Sequence, residues 1–105
     1  MGLKVIIKRP GEKVGHYEDI ENSLEALQKI VGGYIETHRI RNDTVMIMNE
    51  EGKLDGLEPN VQIGEIDTVC GPLILCGFKG EEFTHVPVGM DEWEVILRWW
   101  GNKTN

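Results

Sequence analysis

The chain has 105 residues, 11 Lys and Arg against 18 Asp and Glu for a net charge of -7, 13 glycines and two cysteines. A chain of this length forms one domain, 1–105, whose core needs neither metal nor disulfide, a dependence that sets in below roughly 40 residues. The sign of the charge leaves no basic footprint for nucleic-acid phosphates or an anionic membrane, and no apolar run approaches the roughly 20 residues of a membrane span.

Leu3 to Lys8 opens the chain as a strand that ends at the turn Arg9-Pro10-Gly11. Charges inside this stretch and the lack of a small-residue cleavage site argue against an export signal, so the expected compartment is the cytoplasm. Leu24, Leu27, Ile30 and Val31 recur at helical spacing, with Asn22 as the expected cap, Glu25 as its capping-box partner and Gly32-Gly33 as the stop. Tyr34–Ile40 and Thr44–Met48 are expected to be two strands joined across Arg41-Asn42-Asp43. Val45 to Met48 is apolar on both faces, which suits a central strand. A tight turn follows at Asn49 to Lys53, with Gly52 expected in the left-handed position.

From Leu54 to Glu65 the pattern predicts an irregular loop pinned by Leu54, Leu57 and Val61. Ile66–Cys70 and Leu73–Phe78 follow as strand pieces, with Gly71-Pro72 interrupting pairing because proline has no ladder donor. A last helix is expected over Glu92–Trp100, capped by Asp91 and Glu94, stapled by Met90 and Val95, and ended by Gly101. Trp93, Ile96, Leu97 and Trp100 share one face of it, while Val95 and Trp99 fall on a second. The second face either fills a groove in the fold or offers Trp99 to another chain. The resulting expectation is an α+β fold, a small mixed or antiparallel sheet with both helices on one face. Its core is expected to contain Val5, Ile7, Leu24, Leu27, Val31, Val45, Ile47, Leu73, Leu75, Trp93, Leu97 and Trp100.

Known chemistries find little support. Ser23 is the only serine and stands at a helix start, without a G-x-S-x-G. Cys70 and Cys76 are spaced too widely for C-x-x-C and fall in apolar runs, so inert reduced thiols are expected. His16, His38 and His85 stand singly, without zinc-site spacing. The Asn49–Asn60 loop fails the calcium register, since centring it on Gly56 puts Lys53 at a ligand position. No glycine-rich phosphate loop opens a helix. Neither a catalytic residue, a metal nor a cofactor is expected.

Charge is concentrated instead. Residues 42–69 carry Asp43, Glu50, Glu51, Asp55, Glu58, Glu65 and Asp67 against Lys53 alone. The same region carries a resemblance: Asn49-Glu50-Glu51-Gly52-Lys53-Leu54 followed by Gly56, Leu57, Pro59 and Asn60, then Gly71-Pro72-Leu73-Ile74-Leu75 and Gly80-Glu81-Glu82-Phe83-Thr84. In these segments and in Ser23–Glu36 the chain resembles a domain-of-unknown-function family of small proteins carried by phages, plasmids and conjugative elements. The resemblance covers residues 3–84. Asp55, Glu58 and the Trp-rich end depart from the family pattern. It implies a genomic context and no activity.

Two classes of function follow. One is a non-enzymatic accessory protein of a mobile element that binds a host or defence protein, with Asn49, Glu50, Glu51, Lys53, Asp55, Glu58, Asn60 and Trp99 as candidate binding residues. The other is a small-ligand binder or minor enzyme with a pocket beside the 49–60 loop. A nucleic-acid mimic ranks lower, because the acids do not track a helix at phosphate-like intervals. A second copy of the chain is a further candidate partner.

Overall fold

A computed structural model describes residues 2–65 and 67–102. It contains β1 (Gly2–Lys8), β2 (His16–Glu21), α1 (Leu24–Val31), β3 (Ile35–Arg41), β4 (Thr44–Asn49), β5 (Pro59–Ile63), β6 (Asp67–Cys70), β7 (Leu73–Lys79), β8 (Glu82–Thr84) and α2 (Met90–Trp99). Ile66, the expected start of a strand, lies outside the described residues.

The main sheet runs β2-β1-β7-β4-β3 and every pairing in it is antiparallel. β8 joins the far end of β7 on the edge that β1 leaves free. β5 and β6 form a separate antiparallel hairpin. The α+β expectation therefore holds as a sheet-dominated antiparallel fold with two helices.

The expectation that both helices share one sheet face is corrected. Val5, Ile7, Val45, Ile47, Ile74 and Cys76 are buried with Leu27 and Val31 of α1. The alternate residues Ile6, Met46, Met48, Leu73 and Leu75 are buried with Trp93 and Leu97 of α2 and with Val61 and Val69 of the β5–β6 hairpin. The sheet is covered on both sides. The physical reason was present in β4: a strand apolar at successive positions buries both faces, so each face needs a cover.

Three strands escaped sequence pattern. β2, His-Tyr-Glu-Asp-Ile-Glu, is a polar edge strand whose order comes from six paired positions on β1, not from composition. β5 occupies part of the expected 54–65 loop, with Pro59 at its first residue, where proline is tolerated, and Val61 buried. β8 is three residues long. Gly71-Pro72 does interrupt pairing, by passing the chain from the small sheet into the main one.

Helix ends shift by a residue or two. Ser23, not Asn22, caps α1, its Oγ accepting from the Ala26 N–H at 3.1 Å, and Gly32 closes it at φ 85°. This register leaves Leu24 56% exposed, against its expected place in the core. α2 starts from Gly89, whose N–H donates to the Glu92 carboxylate at 3.2 Å, so Asp91 and Glu94 are inside the helix instead of capping it. Trp93 is fully buried and donates its indole N–H to the Val14 carbonyl at 2.8 Å, tying α2 to the β1–β2 connection. Trp100 is half-buried, edge-on to Trp93 with centroids 5.9 Å apart.

Candidate functional site

β4 ends in Asn49, and the side chain of this residue builds the loop that follows. Asn49 is buried; its Nδ2 donates to the Val31 carbonyl at 3.1 Å and its Oδ1 accepts from the Glu51 N–H at 2.7 Å. The first bond satisfies a carbonyl left open at the end of α1, and the second closes an Asx turn. Helix-like turns continue, with Asp55 N–H donating to Glu51 and Leu57 N–H donating to Gly52. Gly52 is required for a reason other than the expected one. Its φ is not left-handed, but a Cβ there would collide with the Cys70 carbonyl. Gly56 does occupy the left-handed region, at φ 73° with open space around it.

Asn60 closes the loop in the same manner. Its Nδ2 donates to the Lys8 carbonyl at 2.7 Å and the Gly71 carbonyl at 2.9 Å, and its Oδ1 accepts from the Lys8 ammonium at 2.6 Å. Lys8 is only 4% exposed, and burial pulls its pKa below the usual lysine value. Asn49 and Asn60 are thus occupied in holding the loop and have little bonding capacity left for a ligand. Leu57 packs beside Gly71, whereas Leu54, expected to pin the loop, is 84% exposed.

Between this loop and β6 lies a cleft of about 290 Å³. Glu50, Glu51 and Lys53 line it together with Glu36 from β3 and Asp67, Thr68 and Cys70 from β6. Lys53 Nζ sits 2.5 Å from Asp67 Oδ1; the hydrogen bond raises the lysine pKa and lowers that of the aspartate. With that pair neutralised internally, Glu36, Glu50 and Glu51 leave the cleft net negative. Glu36 reaches it because β3 pairs with β4 so that Glu36 lies opposite Met48, a register countable from the hairpin. Asp67 lies 14 residues from Lys53, and its pairing had no sequence signal beyond its membership of the acidic block.

The other expected binding residues are not gathered there. Asp55 and Glu58 are exposed on the loop but do not line the cleft. Trp99 is 84% exposed on the outer side of α2 with Val95, and it lines no part of this cleft.

Reactive groups elsewhere are dispersed. Cys76 is buried, and desolvation pushes its thiol up to about 12; Cys70 is half-buried and both are free. His85 Nδ1 accepts from the Lys4 N–H at 2.9 Å, and His16 lies between Glu12 and Glu18. Among the described residues no three ligating side chains converge as a metal site would need.

Residues 3–96 match the model of a protein family described as a domain of unknown function, DUF3846. The chain belongs to that family. The DUF3846 match runs from β1 into α2, so it extends beyond residue 84 and takes in Trp93, correcting the expectation that the Trp-rich end stands wholly outside the family; Trp99 and Trp100 do lie beyond it. No curated protein and no solved structure matches the chain.

Proposed function

We propose that this DUF3846 protein is a non-enzymatic accessory protein of a mobile genetic element, acting in the cytoplasm of its host. It engages a host or defence protein by accepting a basic side chain into the acidic cleft beside the 49–60 loop. The observation that carries this reading is the convergence of Glu36, Glu50 and Glu51 on one cleft whose single cation among the described residues, Lys53, is already held by Asp67. A cationic side chain entering there meets uncompensated carboxylates with apolar support from Met48 and Val69. Asp55 and Glu58 outside the cleft extend the negative field, which speeds encounter with a basic partner and makes association salt-sensitive. No helix among the described residues is long and apolar enough to cross a membrane.

An affinity pull-down from a bacterial lysate tests the reading, comparing wild type with a variant in which Glu36, Glu50 and Glu51 are changed to Gln. Wild type retains a partner at low salt that the variant loses. Recovery of the same proteins at the same salt tolerance with both baits would refute the acidic-cleft mechanism. The small-ligand reading is favoured by one observation, the volume of this cleft, which comes close to the about 300 Å³ where small-molecule sites begin. It replaces the first if a cationic metabolite, and no protein, co-purifies with wild type alone.

A further inference from the structure

α1 spans eight residues, roughly 12 Å, whereas β7 spans seven, roughly 23 Å, so the helix leaves part of its sheet face uncovered. The strand register says what stands there. Arg39 pairs with Val45, Val45 with Cys76, and Phe78 with Phe83; paired and alternate residues share a face, which places Thr37, Arg39, Val45, Phe78 and Phe83 together on the α1 side. These five side chains line a second cavity of about 210 Å³, with no residue in common with the acidic cleft.

The lining has a definite chemistry. Phe78 and Phe83 stand tilted at 6.0 Å between ring centroids, and the Arg39 guanidinium lies 5.0 Å from the Phe78 centroid. One guanidinium N–H donates to the Asn42 carbonyl at 3.2 Å. A guanidinium carries five such donors, and among the described residues no carboxylate pairs with Arg39. By contrast its neighbour Arg41 is held by Asp43 and Glu92. Among the described residues no acidic side chain lines the cavity, although the chain has 18 of them.

We propose that this cavity binds a small aromatic carboxylate, its ring between Phe78, Phe83 and Val45 and its carboxylate on the Arg39 guanidinium with the Thr37 hydroxyl beside it. Charge complementarity selects the anion: a planar fork of unused donors on an apolar, aromatic wall matches one carboxylate. Size selects the ring. The cavity is smaller than the about 300 Å³ at which drug-sized sites begin, so it suits a single-ring acid.

The test is a titration of the isotope-labelled protein with 3-phenylpropionate, followed by NMR, with acetate and 3-phenylpropanol as controls. Saturable shifts are expected at Thr37, Arg39, Val45, Phe78 and Phe83, with either control binding at least about tenfold more weakly, since each lacks one half of the recognition. Arg39→Gln, on an exposed edge-strand position, is expected to weaken the acid about tenfold and leave 3-phenylpropanol unaffected. Phe83→Leu is expected to weaken both. The proposal is overturned if no saturable shift occurs, if the shifts map to another surface, or if Arg39→Gln binds the acid as wild type does. A peptide ending in Phe that binds tenfold more tightly than 3-phenylpropionate would likewise overturn the assignment to a free small acid.

Discussion

At the scale of single residues, the 49–60 loop is held by side chains whose identity follows from what they touch. Asn60 bridges two backbone carbonyls and the buried Lys8 ammonium. Asn60→Ala is therefore expected to destabilise the fold by about 3 kcal/mol in urea unfolding, because it strands a buried cation as well as two carbonyls. Lys8→Met in that background is expected to recover a large part of the loss, an outcome that simple additivity of the two changes would contradict. Gly52 and Gly56 separate two reasons for glycine. Gly52→Asn is expected to cost about 1–3 kcal/mol, since the backbone of Cys70 must move to admit a Cβ. Gly56→Asn is expected to cost less than about 1 kcal/mol, because asparagine visits the left-handed region and nothing crowds the site. Equal midpoints for the two variants would contradict this distinction. Both glycines were visible as turn residues in the sequence, but the approach of Gly52 to a strand 18 residues further on was not.

At the scale of elements, the β1–β2 connection combines a docking role with a titrating one. It supplies the Val14 carbonyl to Trp93, while His16 holds Glu12 at 2.8 Å and Glu18 at 2.5 Å across its two ring nitrogens. The bond to Glu18, followed by that to Glu12, raises the His16 pKa above 6.5. Its stabilising contribution is thus complete below the unfolded value and disappears as pH rises through the folded one. Glu18 is lowered chiefly by His16; Glu12 is lowered by the Arg9 N–H and His16 against a burial contribution of opposite sign. Those contributions are present above the usual carboxylate range and disappear as pH falls. Stability from this cluster should therefore be greatest between the carboxylate and raised histidine pKa values. An NMR titration is expected to place His16 above 6.5, and Glu18→Gln to move it down. An unchanged His16 midpoint in that variant would show that the contact carries no weight in solution. The side chains are substantially exposed, so the effect on overall stability is screened.

At the scale of the whole molecule, the sheet is shielded by α1 on one side and by α2 with the β5–β6 hairpin on the other. Cys76 on β7 pairs with Val45 of β4 and lies between the stretches of β7 that pair with β1 and β8; it has no exposed surface, and its thiol is pushed up to about 12. Native-state labelling with a thiol reagent is expected to reach Cys76 only at the rate of global unfolding, whatever the pH between 6 and 9. Labelling faster than unfolding measured by tryptophan fluorescence would mean that β7 opens locally. The two candidate sites occupy different parts of this layered arrangement. The acidic cleft lies where the loop meets β6, and the aromatic cavity where the α1 face runs past the end of its helix.

Local physics determined much of this protein. Apolar runs and their turns located β1, β3, β4, β6, β7 and both helices, because hydrophobic periodicity and glycine stops act over a few residues. The loop's composition placed Glu50, Glu51 and Lys53 in one segment, as contiguous residues must be. Only tertiary structure decided that the helices take opposite faces, since the choice depends on which side of a two-faced strand each helix reaches. Tertiary structure also separated Trp99 from the acidic cleft and brought Glu36 and Asp67 to it. The same is true of Lys8 with Asn60, and of Arg39 with Phe78 and Phe83. These groupings depend on strand order and register between segments distant in the chain, which no local pattern encodes.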